Sequence, residues 1–224
     1  MRHIPSSDTF HACVLSFEDA MIPTADNYDR SRWLYIPDHY SEYRYVLGTR
    51  GSHPLICIGI NPSTAAPDQL DNTLKSAQRI ALYNGYDSFI MFNVYAQRAT
   101  LPDDMELILN QDMHRENMKA FEWVLRQYPQ PCSVWAAWGA LITKRDYLAC
   151  CVKDMVSVGK RYNARWYTAG ARSKAGHPHH PLYLRSDSVL NPFSDLNRYL
   201  DSLTVRNAGS SSSSEGGLCH DENI

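Results

Sequence analysis

The sequence predicts an α/β fold in three layers, with helices on both faces of a central, mainly parallel sheet of four strands. Short apolar segments alternate with segments of helical periodicity from residue 55 onward, and this alternation is typical of parallel strands joined by helical crossovers. The strand segments are almost continuously apolar, as in sheets that are covered on both faces. The 224 residues and the apolar fraction of 44% suit one globular domain with extensions.

The strands and helices of this sheet follow one another in a regular order. The predicted strands are 55–60, 88–94, 132–138 and 165–169, and the predicted helices are 71–84, 112–127 and 140–155, with residues 198–203 ending a candidate last helix. The first helix is marked by apolar residues at helical spacing, by Asp71 as a candidate N-cap and by Gly85 as a stop signal.

Composition divides the chain into three parts. Residues 1–40 are predicted to form an irregular N-terminal extension, 41–206 the single α/β domain, and 207–224 a disordered tail. The tail is rich in serine and glycine and buries too little apolar surface to fold. Residues 33–36 and 43–47 are rich in β-branched and aromatic side chains and predict an antiparallel pair that adds a β extension to the domain.

Composition and motifs also exclude several classes of protein. Six cysteines are scattered without a Cys-x-x-Cys pair, which is typical of small core residues in a reducing compartment. The N-terminus lacks the apolar core of a secretory signal, and no stretch is long and apolar enough to span a bilayer. We therefore expect a cytoplasmic protein. The common motifs for dinucleotides, nucleotide phosphates and zinc are absent, and we expect no cofactor.

Polar residues follow the first two predicted strands, where α/β sheets bind their ligands. Asn61 precedes Pro62, which holds it extended and leaves its amide free to point into a cleft; alternatively, the amide bonds local backbone in a rigid turn. Asn93 ends the second strand. Its amide offers donors and an acceptor that could read the edge of a base, or it caps the strand end.

The last two predicted strands are followed by a glycine and by a loop, residues 170–183, that contains Arg172 and Lys174. Gly139 permits a tight turn or the close approach of a ligand. Residues 155–186 contain six lysines and arginines and no acidic residue, which suits a phosphate-bearing ligand or a solvated basic face. Three histidines at 177–180 could hold a metal, but two prolines stiffen the run and no Asp or Glu lies nearby, so we expect no metal site.

Five short motifs, taken in order, resemble those of known families. They are Asn61-Pro62-Ser63-Thr64-Ala65, Asp71-x-Thr73, Asn93 with Arg98-Ala99-Thr100, Trp138-Gly139 and His180-Pro181-Leu182-Tyr183-Leu184. Over residues 43–184 they resemble domain-of-unknown-function family 1643 (DUF1643), a resemblance that implies almost no biochemistry. Their order also resembles the motif series of the uracil-DNA glycosylase superfamily, which implies that fold and the hydrolysis of an N-glycosidic bond.

The glycosylase resemblance implies a role for several of these residues. Asn61 would position the attacking water, Asn93 would bond the edge of an extruded pyrimidine, and Leu182 would wedge into the duplex. A histidine of the His-Pro loop after the last predicted strand would donate to the departing base, where negative charge develops. Both His177 and His180 fit that pattern, and His180 is preferred because it lies in the motif of the closer family.

The sequence thus gives a set of candidate site residues. The predicted catalytic residues are Asn61 and His180. The resemblance to the glycosylases does not explain Asp71, Thr73, Arg79 and Arg98, which suggest that a phosphate or sugar is held. The predicted substrate contacts are Pro62, Ser63, Asp71, Thr73, Arg79, Asn93, Arg98, Gly139, Arg172, Lys174, His177, Leu182 and Tyr183.

Three functions fit these residues, with nucleic acid or a nucleotide as the expected partner and no membrane. The first is a glycosylase-like hydrolase acting on a nucleobase in nucleic acid, favoured by motif order and the basic loop. The second is an enzyme acting on a free or modified nucleotide or nucleoside, favoured by a net charge of only −2, since nucleic-acid affinity depends mainly on phosphate contacts. The third is a non-catalytic nucleic-acid or protein-binding module, favoured by the lack of a carboxylate to activate water.

Overall fold

The computed structural model describes residues 2–5, 12–24 and 27–210, with the side chains up to residue 203. Its helices are α1 (Phe17–Ala20), α2 (Asn72–Tyr83), α3 (Gln111–Arg126), α4 (Tyr147–Arg161) and α5 (Leu196–Ser210). Its strands are β1 (Trp33–Ile36), β2 (Val46–Thr49), β3 (Pro54–Gly59), β4 (Ser88–Asn93), β5 (Ser133–Ala136), β6 (Arg165–Ala169) and β7 (Leu190–Pro192). The predicted tail lies outside the described residues from 211 onward.

One mixed sheet with the strand order β1-β2-β4-β3-β5-β6-β7 forms the centre of this part of the chain. The four predicted strands are β3 to β6 and pair in parallel at the middle of the sheet. The prediction of a four-stranded sheet was wrong in extent, because β1, β2 and β7 extend it with antiparallel pairing. The strand β7 has three residues and ends in proline, so its sequence carries little strand signal.

The predicted N-terminal β pair is present, with a shifted second strand. The strand β1 pairs antiparallel with β2, and β2 begins at Val46 rather than at Tyr43. The two preceding residues already bond the segment after β4: Tyr43 forms a bridge with Gln97, and the backbone N–H of Arg44 donates to the carbonyl of Ala96 at 2.9 Å. The strand β1 therefore forms one edge of the sheet, although it falls within the predicted irregular extension.

Alternating strand side chains build a separate core on each face of the sheet. Ile56 and Ile58 of β3 pack with the apolar faces of α3, α4 and α5. Leu55 and Cys57 of the same strand pack with the apolar face of α2. This period of two is the geometry of a pleated strand, and it confirms the predicted arrangement of three layers.

Helix α2 matches its prediction, whereas α4 does not. The carboxylate of Asp71 accepts a hydrogen bond from the backbone N–H of Leu74 at 2.9 Å and caps α2. Helix α4 begins at Tyr147, seven residues later than predicted, because Gly139–Thr143 forms a 3₁₀ helix that starts at a glycine with a φ of +65°.

No helix in the described ranges is long and apolar enough to cross a membrane.

A substitution at Phe121 of α3 tests how much the core beneath α3 and α4 contributes to stability. Its ring is fully buried and packs on Phe92, with 5.2 Å between the ring centroids. We expect Phe121→Ala to lower the free energy of unfolding in urea by about 3–5 kcal/mol, since it leaves a cavity. Leu82→Ala, on the outer face of α2 and 54% exposed, is the control and should change it by less than about 0.5 kcal/mol. Equal losses in the two variants would contradict this assignment of the core.

Candidate functional site

A cleft of about 350 Å³ lies at the carboxyl ends of β3 and β4. Eight predicted site residues line it: Asn61, Pro62, Ser63, Asp71, Thr73, Asn93, His180 and Leu182. Its lining also includes Arg44, which the sequence analysis did not select, and Thr100. A larger depression of about 500 Å³ lies between α4, β6 and α5, and the described residues that line it include no histidine or carboxylate. The smaller cleft therefore holds the chemically useful side chains.

The amide nitrogen of Asn61 bonds the local backbone, and its amide oxygen is left for the cleft. Its Nδ2 donates to the carbonyls of Pro62 at 3.1 Å and Ala99 at 2.8 Å. Since carbonyls only accept, these two bonds fix which end of the amide is nitrogen. In the described part of the chain Oδ1 accepts no hydrogen bond, so Asn61 presents an acceptor to the cleft.

Asn93 is a buried amide whose side chain has no hydrogen-bond partner among the described residues. It is 1% exposed, and neither Oδ1 nor Nδ2 is bonded. A Cβ on Gly59 would lie 3.0 Å from Oδ1, so that glycine leaves room for the amide. An unsatisfied buried polar group costs about 1–3 kcal/mol, and one that lines a cleft is a candidate contact for a ligand. The amide does not act as a cap of the strand end.

His180 presents a neutral imidazole to the cleft. Its Nδ1 accepts from the backbone N–H of Leu182 at 3.4 Å at the start of the 3₁₀ helix Pro181–Tyr183. The ring proton is therefore assigned to Nε2. Burial lowers the pKa of His180, and the charge of Asp71 acts in the opposite direction. Gly139 lies against this residue, because a Cβ there would be 3.4 Å from the Cβ of His180.

His177 lies in a buried network away from the cleft lining. Its Nδ1 shares a 3.0 Å hydrogen bond with the hydroxyl of Tyr199, which accepts from Nε1 of Trp138 at 2.9 Å. This network joins α5 to the end of β5. Of the two candidate histidines, His177 and His180, the structure brings only His180 into the cleft.

Several predicted substrate contacts lie outside the lining of the cleft. Arg172 pairs with Asp195 at 2.7 Å, and Lys174 is exposed. Tyr183 is 78% exposed. Arg79 is exposed and donates to the carbonyl of Lys75 at 3.2 Å within its own helix. Eight residues correspond to a rotation about 80° past whole turns, which carries Arg79 off the face of Asp71.

Two buried arginines hold the loop that follows β3. Arg98 donates through Nη1 to the carbonyls of Ser63 and Ala65 and lies behind the cleft, with its guanidinium 4.3 Å from the centroid of the Tyr40 ring. Arg44 donates to the same carbonyl of Ala65 at 3.1 Å and lines the cleft. Burial lowers the pKa of Arg44 to about 9, so it stays charged at neutral pH. The signal for Arg44 was a single charge in the apolar run 43–47.

The described residues contain no group of three or more His, Cys, Asp or Glu side chains that could hold a metal ion.

Comparison with known proteins identifies a family and no activity. The family model described as "Protein of unknown function (DUF1643)" matches residues 44–182, more than half of the chain. No curated protein matches the chain. No solved structure matches it either, so the glycosylase-like fold stays a prediction.

The protonation of His180 tests the electrostatics of the cleft. We expect NMR titration to give a pKa below about 6.5, because burial disfavours the imidazolium. Asp71→Asn should lower this pKa further, since the carboxylate favours the charged ring; asparagine still caps α2. Asp187→Asn, which removes an exposed carboxylate paired with Arg185, should leave it unchanged. A pKa that rises in Asp71→Asn would contradict this description.

Proposed function

This chain belongs to the DUF1643 family, and we propose that it is a hydrolase that binds a nucleobase in the cleft and cleaves its N-glycosidic bond. The observation that carries the proposal is the unpartnered amide of Asn93. A planar amide offers a donor and an acceptor side by side, which matches the alternating polar edge of a pyrimidine. A bound base would satisfy both groups and remove the cost of burying them.

The cleft supplies groups for both halves of a hydrolysis. The acceptor Oδ1 of Asn61 orients a water molecule. One carboxylate oxygen of Asp71 caps α2, and the other makes no hydrogen bond within the described ranges. This second oxygen accepts a proton from the water molecule while the oxygen of the water attacks C1′. Asp71 therefore supplies the carboxylate that the strand-end motifs lack, and this weakens the argument for a non-catalytic module.

The departing base receives its stabilisation from His180. As the C1′–N bond breaks, its electron pair moves onto the base, and negative charge appears on the base oxygen. The Nε2–H of a neutral imidazole donates to that oxygen, and such electrostatic stabilisation is a large part of catalysis. The lowered pKa of His180 keeps the ring in its neutral form at physiological pH.

The structure supports a free nucleotide or nucleoside more than nucleic acid as the substrate. Arg172, the arginine of the loop between β6 and the 3₁₀ helix Pro181–Tyr183, is paired with Asp195 and lies outside the cleft lining. A cleft of about 350 Å³ is at the small end of ligand sites. One observation favours nucleic acid as the second candidate: Leu182 lines the cleft and is 47% exposed, as a residue inserted into a base stack must be.

A base-release assay tests the proposed reaction. The chain is incubated with nucleosides, with nucleoside monophosphates and with single- and double-stranded DNA containing uracil, and the free base is measured by chromatography. We expect Asp71→Asn and His180→Ala to lower kcat by about 10²- to 10⁴-fold, the usual contribution of a general acid or base. Release from oligonucleotides alone would favour the second candidate. Tight binding of these ligands without release would favour a binding module, and unchanged turnover in both variants would disprove the assigned roles.

Asn93 allows a second test that separates binding from folding. Asn93→Leu replaces an unsatisfied amide with an apolar side chain of similar size, so the melting temperature should be kept or raised. Ligand recognition should fall by at least about 100-fold in kcat/KM, because a site built for hydrogen bonds loses them.

Asn117→Leu is the matched control for Asn93→Leu. Nδ2 of Asn117 donates to the carbonyls of Asn93 at 3.0 Å and Val94 at 3.3 Å, so its replacement should lower the melting temperature. A large loss of stability in Asn93→Leu, with no effect on activity in the protein that folds, would make Asn93 a structural residue.

A further inference from the structure

Two guanidinium groups are buried side by side at the cleft, and neither contacts a carboxylate of the described residues. Arg44 and Arg98 both donate to the carbonyl of Ala65, at 3.1 and 3.2 Å. Arg44 is 1% exposed and Arg98 is fully buried. Among the ion pairs of the described residues, neither arginine takes part in one.

Burying two like charges together is costly unless something compensates them. The repulsion is visible at Arg44, whose pKa is lowered first by burial and then by the charge of Arg98. Asp71 is the acidic residue whose charge acts on both arginines. Since neither arginine forms an ion pair with a described acidic residue, an anion in the cleft would offset their charge.

The unused hydrogen-bond donors indicate which arginine an anion would meet. Within the described part of the chain, Arg44 donates through Nη1 alone, and its Nε is buried without a partner. It lines the cleft. The Nε of Arg98 is likewise buried without a partner among the described residues. However, both of its terminal nitrogens are bonded, Nη2 to the hydroxyl of Tyr35 at 3.0 Å. Tyr40 covers the face of its guanidinium, and Arg98 lies outside the cleft lining.

We propose that Arg44 binds a phosphate group of the ligand in this cleft, and that Arg98 supports it by holding the loop 63–65 and adding positive potential. The proposal rests on the proposed function and narrows its substrate to a phosphorylated nucleotide, either free or within a strand. Guanidinium is the side chain best matched to phosphate oxygens. A brace for the carbonyl of Ala65 would need a donor but no charge, so the charge points to the ligand.

Binding of phosphate-bearing probes to the intact chain tests this proposal. Inorganic phosphate, nucleoside 5′-monophosphates and the matching nucleosides are titrated by calorimetry at constant ionic strength, with sulfate and acetate as competing anions. We expect each monophosphate to bind at least about tenfold more tightly than its nucleoside, as a charge-assisted hydrogen bond provides. Measurable and equal affinities of nucleoside and monophosphate in the wild-type chain would overturn the proposal.

Substitutions assign the effect to Arg44. Arg44→Gln keeps a donor for the carbonyl of Ala65 but removes the charge, and it should abolish the advantage of the monophosphate while leaving nucleoside affinity intact. Arg79→Gln, an exposed arginine on α2 that lies outside the cleft lining, is the matched control and should keep that advantage. Arg44→Lys keeps the charge and provides a second variant in case Arg44→Gln does not fold. It should retain part of the higher affinity for the monophosphate. An equal loss in Arg79→Gln would overturn the assignment.

The results separate this proposal from the proposed function. Phosphate binding that depends on Arg44, without base release from any substrate, would support the phosphate site and overturn the hydrolase. Base release that is equally fast from nucleosides and monophosphates would support the hydrolase and overturn the phosphate site. Binding of a single-stranded oligonucleotide that depends on Arg44, with no binding of a mononucleotide, would support a phosphate of the strand as the ligand.

Discussion

The parallel pairing of β3 with β4 is the constraint on which the cleft depends. Their register opposes Gly59 to Asn93, and the pairing continues past both strands, where the N–H of Tyr95 donates to the carbonyl of Ile60 at 2.9 Å. The segments that follow β3 and β4 therefore leave the sheet at the same level and in the same direction. Because a shift of one residue would turn every side chain to the opposite face, the two apolar cores that fix this register also fix the position of the Asn93 amide.

The electrostatics of the cleft depend on the burial of Arg44 and Arg98 beside the sheet. The loop after β3 has its carbonyls held by Arg44 and Arg98, which reach it from the segments before β2 and after β4. The same burial that makes these guanidiniums costly makes any interaction with them strong, because the surrounding dielectric is low. Asp71 faces them from the start of α2. The site thus combines cationic, anionic and neutral polar groups, each supplied by a different element.

The central strands and α2 could be predicted because their apolar patterns are long enough to be unambiguous, and strand-end logic then located Asn61, Asn93 and His180. The edge strand β7 could not be predicted, since three residues ending in proline form a strand only when a neighbour is present to pair with them. Arg44 was missed because it precedes an antiparallel strand, where that logic does not apply. Arg172 was misplaced because a sequence shows a charge but not its partner, here Asp195.

The attachment of the N-terminal segment bears on how the cleft is completed during folding. The backbone N–H of His3 donates to Oγ1 of Thr100 at 2.7 Å, across 97 positions of sequence, and Thr100 is part of the cleft wall. The N–H of Phe17 likewise donates to Glu116, 99 positions away. Contacts between residues so far apart in the sequence close large loops, which costs conformational entropy. This cost is smaller once the strands between the two residues have already paired. We therefore expect the contact between His3 and Thr100 to form late in folding, after the sheet that lies between them in the sequence has assembled.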